Sequence, residues 1–392
     1  MKRSIGVTII IILIIAVVAV GYVLQFFRFN HDPIEINENQ DFVVQGWPGS
    51  GTESDPYVIS GFIVGQSYVI WEDGTEYVRL AEAAVVIRNT TAFFIITNCV
   101  FTGGVKLINV KNGVIRNCEA GDPTTTHRMD YAFHGINISY CSIERNSFGN
   151  NNAYSISLEN GENNTISGNI LFDTASDSSR CRVGIYLSGQ TLLNCRLNTI
   201  SNYDTGIELR NCSGGEISHW VSENHIEKSG YGLFLRGCTN LPVYENELYN
   251  NTIGIDLSGS IAVRFVNNTI SDSSDGGVWF RTSCIDCILS NNVINNNGWA
   301  GITFDWMSET THPAQATIND IRHNDGWGII VNGRNNVILY GNILADNTLG
   351  NVGYNISYNP NQISSVQCSQ IRDILVPCQI SLECILLSEK RS

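Results

Sequence analysis

Basic residues are scarce in this chain. Of its 392 residues, 23 are Lys or Arg against 37 Asp or Glu, which gives a net charge of −14. Nucleic-acid binding depends on clustered Lys and Arg, so we predict no nucleic-acid partner. Charged residues of both signs make up only 15% of the chain, whereas 43% is hydrophobic. This composition excludes general disorder and predicts a polar, largely uncharged surface over an apolar core.

The first 30 residues form a separate segment. Residues 5–27 contain no charged residue and are long enough to cross a bilayer core of about 30 Å as a helix. Lys2 and Arg3 precede this run, so the positive-inside rule places residues 28 onward outside the cytoplasm. We therefore predict an N-terminal transmembrane anchor over residues 1–30, with a cleaved signal sequence as the alternative.

A short repeat fills most of the remaining chain. Its unit is Asn-x-apolar, followed eight or nine residues later by Gly-apolar-x-apolar, as between Asn246 and Gly254. Eleven anchors fall 19 to 29 residues apart: Asn98, Asn117, Asn146, Asn169, Asn198, Asn224, Asn246, Asn268, Asn292, Asn319 and Asn342. A period this short excludes ankyrin and propeller repeats. The apolar residues alternate at period two, which predicts strands.

The residues after each glycine position define two apolar columns. The first column is Ile136, Ile156, Ile185, Ile207, Leu233, Ile255, Val278, Ile302 and Ile329, and the second lies two residues further along, from Ile138 and Leu158 to Val331. Such columns are expected when coils stack in parallel at roughly 4.8 Å and bury their apolar faces against their neighbours. The sequence thus predicts an all-β solenoid of about eleven coils.

These repeats resemble the right-handed parallel β-helix repeat family, which includes pectate-lyase-like and NosD-type proteins and many archaeal surface proteins. The resemblance implies a single-stranded right-handed parallel β-helix over residues 98–359. It also implies that residues 31–97, where GSGTESDPYVISG leads into a first strand at YVI, are an opening segment and N-terminal cap. Residues 360–392 break the pattern and are predicted to be a C-terminal cap or tail.

Residues between and beyond the inward columns point outward and carry the predicted site. Aromatic rings, carboxylates and guanidinium groups recur on this strip and can stack on sugar rings and bind hydroxyls or uronates. The predicted glycan-binding residues are Tyr186, Glu208, Arg210, Phe234, Arg236, Asp256, Trp279, Arg281 and Asp305. The alternative is a solvated face on which the charged residues form ion pairs between coils.

Two sets of residues are candidates for catalysis. Glu208 and Asp256 are expected two coils apart, roughly 9.6 Å, near the upper limit for inverting glycosidases. The Asp-Asp and Gly-His-Gly motifs of polysaccharide hydrolases with this fold do not occur. Two insertions, ending at Gly135 and Gly184, also bring titratable side chains to one corner. There His127, Arg128, Asp130 and His134 are candidates to meet Asp173 or Asp177, although polar loops are also common without function.

Cysteine and other soft metal ligands give no clear metal site. Cys212 and Cys238 share a repeat position on adjacent coils, as do Cys99 and Cys118, which is compatible with disulfides or with buried thiols. The single Cys-x-x-Cys, Cys284 to Cys287, has no second pair at zinc spacing. With three methionines and seven scattered histidines we predict no metal site, and no cofactor is indicated.

Taken together, these patterns predict an extracytoplasmic, membrane-anchored protein that binds or processes glycans at the cell surface. If it is an enzyme, a polysaccharide lyase or a glycoside hydrolase is expected. A non-enzymatic structural or adhesive surface protein is the first alternative. The resemblance to NosD-type proteins adds a second alternative, an accessory role in the maturation of a copper enzyme.

Overall fold

The protein is a right-handed parallel β-solenoid. The computed structural model describes residues 28–65, 67–72, 75–121, 130–150, 153–174, 182–215, 221–305, 312–332, 337–355 and 366–369. Each coil contributes one strand to each of three parallel sheets, and each sheet has 13 strands within these residues. The all-β prediction is confirmed. The sheets contain more strands than the eleven anchors because residues 29–97 supply further strands.

Sheet 1 follows the recurring asparagine of each coil. Its strands are β1 Phe29–His31, β4 Phe62–Val64, β9 Val100–Phe101, β12 Glu119–Ala120, β15 Ser147–Gly149, β18 Ile170–Phe172, β21 Thr199–Ser201, β24 His225–Glu227, β27 Glu247–Tyr249, β30 Thr269–Ser271, β33 Val293–Asn295, β36 Asp320–Arg322 and β39 Ile343–Ala345.

Sheet 2 contains the Gly-apolar-x-apolar segments. Its strands are β2 Ile34–Ile36, β7 Val85–Thr90, β10 Val105–Val110, β13 Tyr131–Ser139, β16 Tyr154–Glu162, β19 Val183–Thr191, β22 Thr205–Arg210, β25 Tyr231–Arg236, β28 Ile253–Ser258, β31 Gly276–Phe280, β34 Ala300–Asp305, β37 Trp327–Asn332 and β40 Gly350–Asn355.

Sheet 3 closes the coil between sheets 2 and 1. Its strands are β3 Tyr57–Ser60, β8 Phe94–Thr97, β11 Gly113–Arg116, β14 Ser142–Glu144, β17 Thr165–Ser167, β20 Asn194–Arg196, β23 Val221–Ser222, β26 Pro242–Tyr244, β29 Arg264–Val266, β32 Ile288–Ser290, β35 Ala314–Thr317, β38 Val337–Tyr340 and β41 Val366–Ser369. The strands β5 Ser67–Glu72 and β6 Thr75–Leu80 form a separate antiparallel hairpin.

The inward columns form the core as predicted, except in β13. Ile156, Ile185 and the later members of both columns are fully or nearly fully buried. In β13, however, Phe133 pairs with Ile156 and Gly135 pairs with Leu158, so Ile136 and Ile138 are not the inward pair. A Cβ on Gly135 would lie 2.6 Å from Cδ1 of Ile138, so the Ile138 side chain occupies the space that a leucine fills in other coils.

A buried ladder of asparagines joins successive coils. Asn246 is typical: its side-chain NH₂ group donates to the oxygen of Asn268 at 2.9 Å and to the backbone carbonyl of Val221 at 3.0 Å. Its own side-chain oxygen accepts from the backbone N–H of Asn224 at 3.1 Å. The ladder therefore satisfies the buried backbone groups of each corner.

The two N-terminal anchors were predicted one residue out of register. The residue aligned with Asn146 is Cys118, whose backbone N–H donates to the Asn146 side chain at 3.0 Å. Asn117 and Asn98 instead turn the corner with φ of +53° and +54°. Asparagine tolerates this left-handed backbone better than most residues, so here its role is conformational.

The opening segment covers the first coil. The short helix α1, Asn39–Val44, buries Phe42, whose ring stacks on Tyr57 at 4.6 Å and on Phe94 at 5.6 Å. The segment YVI is a strand, as expected, but β1 and β2 precede it, so it is not the first.

The predicted membrane helix lies outside the described residues. Within the part of the chain that the structure describes, no helix is both long and apolar enough to cross a membrane.

Candidate functional site

The predicted site residues lie together on the outer face of sheet 2. Strand residues alternate between the two faces of a sheet, so the residue between two buried positions points outward. The parallel register aligns an outer column: His134, Ser157, Tyr186, Glu208, Phe234, Asp256, Trp279 and Thr303. Two residues further along, a flanking column contains Glu159, Ser188, Arg210, Arg236 and Ser258, with Asp305 aligned to Asn332 beyond. Arg281 directly follows β31.

Arginine side chains pack on the aromatic rings of this face. The guanidinium carbon of Arg281 lies 4.3 Å from the ring centroid of Trp279. The same atom of Arg236 lies 4.7 Å from the Phe234 ring. Gly276 leaves room for the indole, because a Cβ there would lie 2.7 Å from Nε1 of Trp279. These cation–π contacts hold flat rings and guanidinium groups in fixed positions on the surface.

The two carboxylates of the outer column are buried and paired with arginine. Asp256 is 1% exposed and accepts a hydrogen bond from Nε of Arg281 in the next coil at 2.7 Å. Glu208 is bonded to Arg210 of its own strand. Burial raises the pKa of Asp256, and the Arg281 hydrogen bond opposes that rise. The ion pairs of the alternative interpretation are thus partly present, but Arg236 forms none within the described part of the chain.

Several buried polar atoms in the outer column have no hydrogen-bond partner. Among the described residues these atoms are Ser157 Oγ, Asp256 Oδ1, Trp279 Nε1 and Thr303 Oγ1. Asp256, Trp279 and Thr303 occupy three successive coils in direct register. Unpaired buried polar groups cost free energy, so a row of them requires a reason, such as a ligand or ordered water.

Glu208 and Asp256 lie two coils apart, as predicted, with Phe234 between them. At strand spacing this separation is roughly 9.6 Å. Both carboxylates are already engaged by arginine, and Asp256 is almost fully covered. The pair therefore does not present two open carboxylates at the surface.

The loop cluster predicted around His134 has a different arrangement. His127, Arg128 and Asp177 lie outside the described residues, and Asp130 is exposed before β13. His134 lies in the outer column, where its Nε2 is 3.0 Å from Glu159 Oε1. Asp173 is instead bonded to Arg182 at 2.6 Å, so the predicted contact between Asp173 and His134 is replaced by these two pairs.

Sequence analysis missed the aromatic row around His134. The Tyr131 ring stacks on the His134 ring at 4.2 Å and on Tyr154 at 5.6 Å, and Tyr154 contacts Tyr186 at 5.0 Å. Burial lowers the pKa of His134, whereas the hydrogen bond to Glu159 opposes this shift. The signal was present, because Tyr131 and Tyr154 lie two residues before Phe133 and Ile156, the first inward-column residues of their strands, but the register error in β13 concealed it.

The described cysteines are buried free thiols within the solenoid. Cys212 and Cys238 lie on adjacent coils, because the following residues, Ser213 and Thr239, form a parallel bridge. Their thiols donate to the backbone carbonyls of Leu187 at 3.4 Å and Leu209 at 3.6 Å. Among the described residues no three His, Cys, Asp or Glu side chains converge as metal ligands do.

Solved structures resembling this chain include carbohydrate-active proteins. A double mutant of the periplasmic alginate epimerase AlgG has a TM-score of 0.49 and 13% identity, covering 69% of this chain and 77% of that one. The Azotobacter vinelandii mannuronan C-5 epimerase AlgE4 A-module has a TM-score of 0.47 and 13% identity, covering 85% and 100%. A hyperthermoactive exopolygalacturonase from Thermotoga maritima has a TM-score of 0.38 and 9% identity, covering 86% and 94%. At these identities and scores the likeness concerns the fold and not the activity.

Two family models match the sequence. One, described as right handed beta helix region, covers residues 83–219. The other, described as periplasmic copper-binding protein (NosD), covers residues 172–367. Comparison with curated proteins finds no significant match. Because the second model spans half of the chain, the protein belongs to the NosD family of right-handed parallel β-helix proteins.

Proposed function

We propose that this protein is an extracytoplasmic glycan-binding protein and that the outer face of sheet 2, from Tyr186 to Asp305, is its binding surface. The observation that carries the proposal is the outer column itself. Aromatic rings and buried carboxylates alternate there on successive coils, next to arginines held on the rings.

A sugar ring matches these groups chemically. Its C–H faces pack on aromatic rings, and its hydroxyl groups donate to carboxylates and accept from guanidinium groups. The guanidinium group of Arg236 lies on the Phe234 ring, and its side chain is exposed. This ring and this guanidinium group offer a sugar an apolar face and hydrogen-bond donors.

Binding without turnover is the simpler form of this proposal. The two carboxylates of Glu208 and Asp256 lie at the upper limit of the separation used by inverting glycosidases. Glu208 is bonded to Arg210 and Asp256 to Arg281, so neither carboxyl is free to transfer a proton to a glycosidic oxygen. Cleavage of the bound glycan is therefore measured separately, by detection of new chain ends.

A polysaccharide array combined with product detection tests the proposal. We expect retention on at least one glycan, and loss of that retention in the double variant Phe234→Ala, Trp279→Ala. Tyr249→Ala is the matched control, because Tyr249 is an exposed aromatic residue on sheet 1. New reducing or unsaturated ends would extend the proposal to catalysis. The absence of binding to every glycan tested would refute it and leave a structural surface protein.

The cellular location is part of the same proposal. The uncharged run over residues 5–27, preceded by Lys2 and Arg3, supports an anchor with the solenoid outside the cytoplasm. Membrane and soluble fractions of cells that express the full chain, or a variant lacking residues 1–30, provide the test. Recovery of the full chain in the soluble cytoplasmic fraction would contradict the anchor.

The family description names copper, but the described residues do not fit a copper site. Soft ligands select copper, and thiol ligands must first lose their protons. The thiol of Cys118 is buried beside Cys99, and burial raises its pKa. The thiols of Cys212 and Cys238 are likewise enclosed by the coil and donate to backbone carbonyls. We therefore assign no step in the function to copper.

A further inference from the structure

Arg236 differs from Arg210 and Arg281 of the outer face because it forms no ion pair with a carboxylate of the described residues. Arg210 is bonded to Glu208, and Arg281 is bonded to Asp256. Within the described part of the chain Arg236 forms no ion pair, and its guanidinium group lies on the Phe234 ring with the side chain exposed. The donors of this guanidinium group are therefore available to a ligand.

The surroundings of Arg236 favour an anion. Arg210 and Arg236 are directly aligned on neighbouring strands. Their backbones are roughly 4.8 Å apart, and like charges at this spacing are destabilising. Only Arg210 is neutralised by a carboxylate on its own strand. An oxyanion bound at Arg236 would offset the remaining positive charge and can be held by two parallel hydrogen bonds.

The next coil provides a contrasting group. Asp256 is aligned with Phe234, is 1% exposed, and has Oδ1 without a hydrogen-bond partner among the described residues. A carboxylate repels oxyanions, and Asp256 is enclosed beside Arg281. The negative group of a ligand is therefore expected at Arg236 and not one coil further along.

We propose that the outer face of sheet 2 recognises an anionic glycan and that Arg236 binds the sugar carboxylate or sulfate group. This inference rests on the proposed glycan-binding function. It adds the charge class of the glycan and the residue that selects it.

Matched pairs of glycans test the charge class directly. Oligogalacturonate is compared with its methyl ester, and dextran sulfate with dextran, by isothermal titration calorimetry at low and high salt. We expect at least about tenfold tighter binding of one acidic member than of its neutral partner, with the difference reduced at high salt because exposed charges are screened. Comparison of oligogalacturonate with dextran sulfate shows whether the bound oxyanion is a carboxylate or a sulfate group.

Variants of one residue test the assignment. Arg236→Gln is expected to weaken binding of the acidic glycan about tenfold or more, and to weaken binding of the neutral partner less, so that the ratio of the two affinities falls. Arg236→Lys keeps the charge but loses the two-pronged geometry, so partial binding is expected. Arg322→Gln is the control, since Arg322 is a solvent-accessible arginine at the end of β36 in sheet 1 and is not part of the outer face of sheet 2.

The outcomes separate this inference from the function on which it rests. Equal binding of acidic and neutral partners, or an Arg236→Gln variant that binds the acidic glycan normally, would overturn the anionic assignment and leave glycan binding intact. If no glycan of either class binds, both proposals fail.

Discussion

The ion pair between Arg281 and Asp256 provides a sharp test of the electrostatics of the outer face. Substitution of Arg281 by Met keeps an aliphatic stem over Trp279 but removes the hydrogen bond that Arg281 Nε donates to Asp256 Oδ2 at 2.7 Å. Because Asp256 is 1% exposed, water does not replace this partner without a change in structure. The variant therefore leaves a buried charge uncompensated.

The expected magnitude follows from the burial of Asp256. Breaking a buried pair by removing one partner costs about 3 to 5 kcal/mol in free energy of unfolding. Burial has already raised the pKa of Asp256, and the loss of Arg281 raises it further. A carboxyl whose folded pKa is raised favours the folded state at low pH and loses that contribution as the pH rises through the folded pKa. The destabilisation should thus be largest at neutral pH and smaller at pH 5.

Urea unfolding of wild type, Arg281→Met and the double variant Asp256→Asn, Arg281→Met measures this effect. The double variant should recover much of the lost stability, because it no longer buries a charge. Arg322→Met is the matched control: its partner Asp320 is also an acid on the outer side of a sheet, but both side chains are exposed, so no measurable loss is expected. Equal losses for Arg281→Met and Arg322→Met, or a double variant no more stable than Arg281→Met, would refute the reasoning.

Three further predictions concern the solenoid and its histidine. Leu235→Asp places an unpaired carboxylate in the inward column and should abolish the β-sheet circular dichroism signal, which Ser258→Asp on the outer face should preserve. Asn246→Leu should lower the free energy of unfolding by about 1 to 3 kcal/mol for each buried group that it leaves unpaired, including the backbone N–H of Asn224, and the thermal midpoint should fall. An unchanged midpoint would contradict the ladder's role. Because burial lowers the pKa of His134, stability should fall as the pH drops below about 6.5, and less so in His134→Gln; parallel pH profiles would count against this.

The register of β13 illustrates where sequence reasoning failed. In FHGINIS, both Phe133 with Gly135 and Ile136 with Ile138 satisfy an alternation of period two. Local pattern cannot choose between them. The choice is made by pairing with β16, where Leu158 meets Gly135 and the Ile138 side chain fills the vacant space. The error placed Ile136 in the first inward column, where the structure has Phe133.

The partners of the charged residues were also beyond the reach of the sequence. The outer column predicts that Glu208, Asp256 and the arginines share one face, and they do. Side-chain rotamers, however, decide that Arg210 folds back on its own strand and that Arg281 reaches the preceding coil. Among the described residues Arg236 forms no ion pair, whereas Glu208 and Asp256 are bonded to Arg210 and Arg281.

The sequence by itself determined the solenoid, because a repeat of strands must stack to bury its apolar columns and only in-register stacking does so at every coil. Outside β13 it also determined which residues lie on the outer face, since the alternation of strand residues is local. The tertiary structure alone decided where the third sheet lies in each coil and which register β13 adopts. It also decided that Cys118 takes the place of asparagine at the base of the ladder. It decided, finally, that Asp256 is buried beside Arg236, which forms no ion pair within the described residues. These features depend on contacts between residues about one coil apart in sequence, where packing and hydrogen-bond geometry, not local pattern, select among alternatives of similar local free energy.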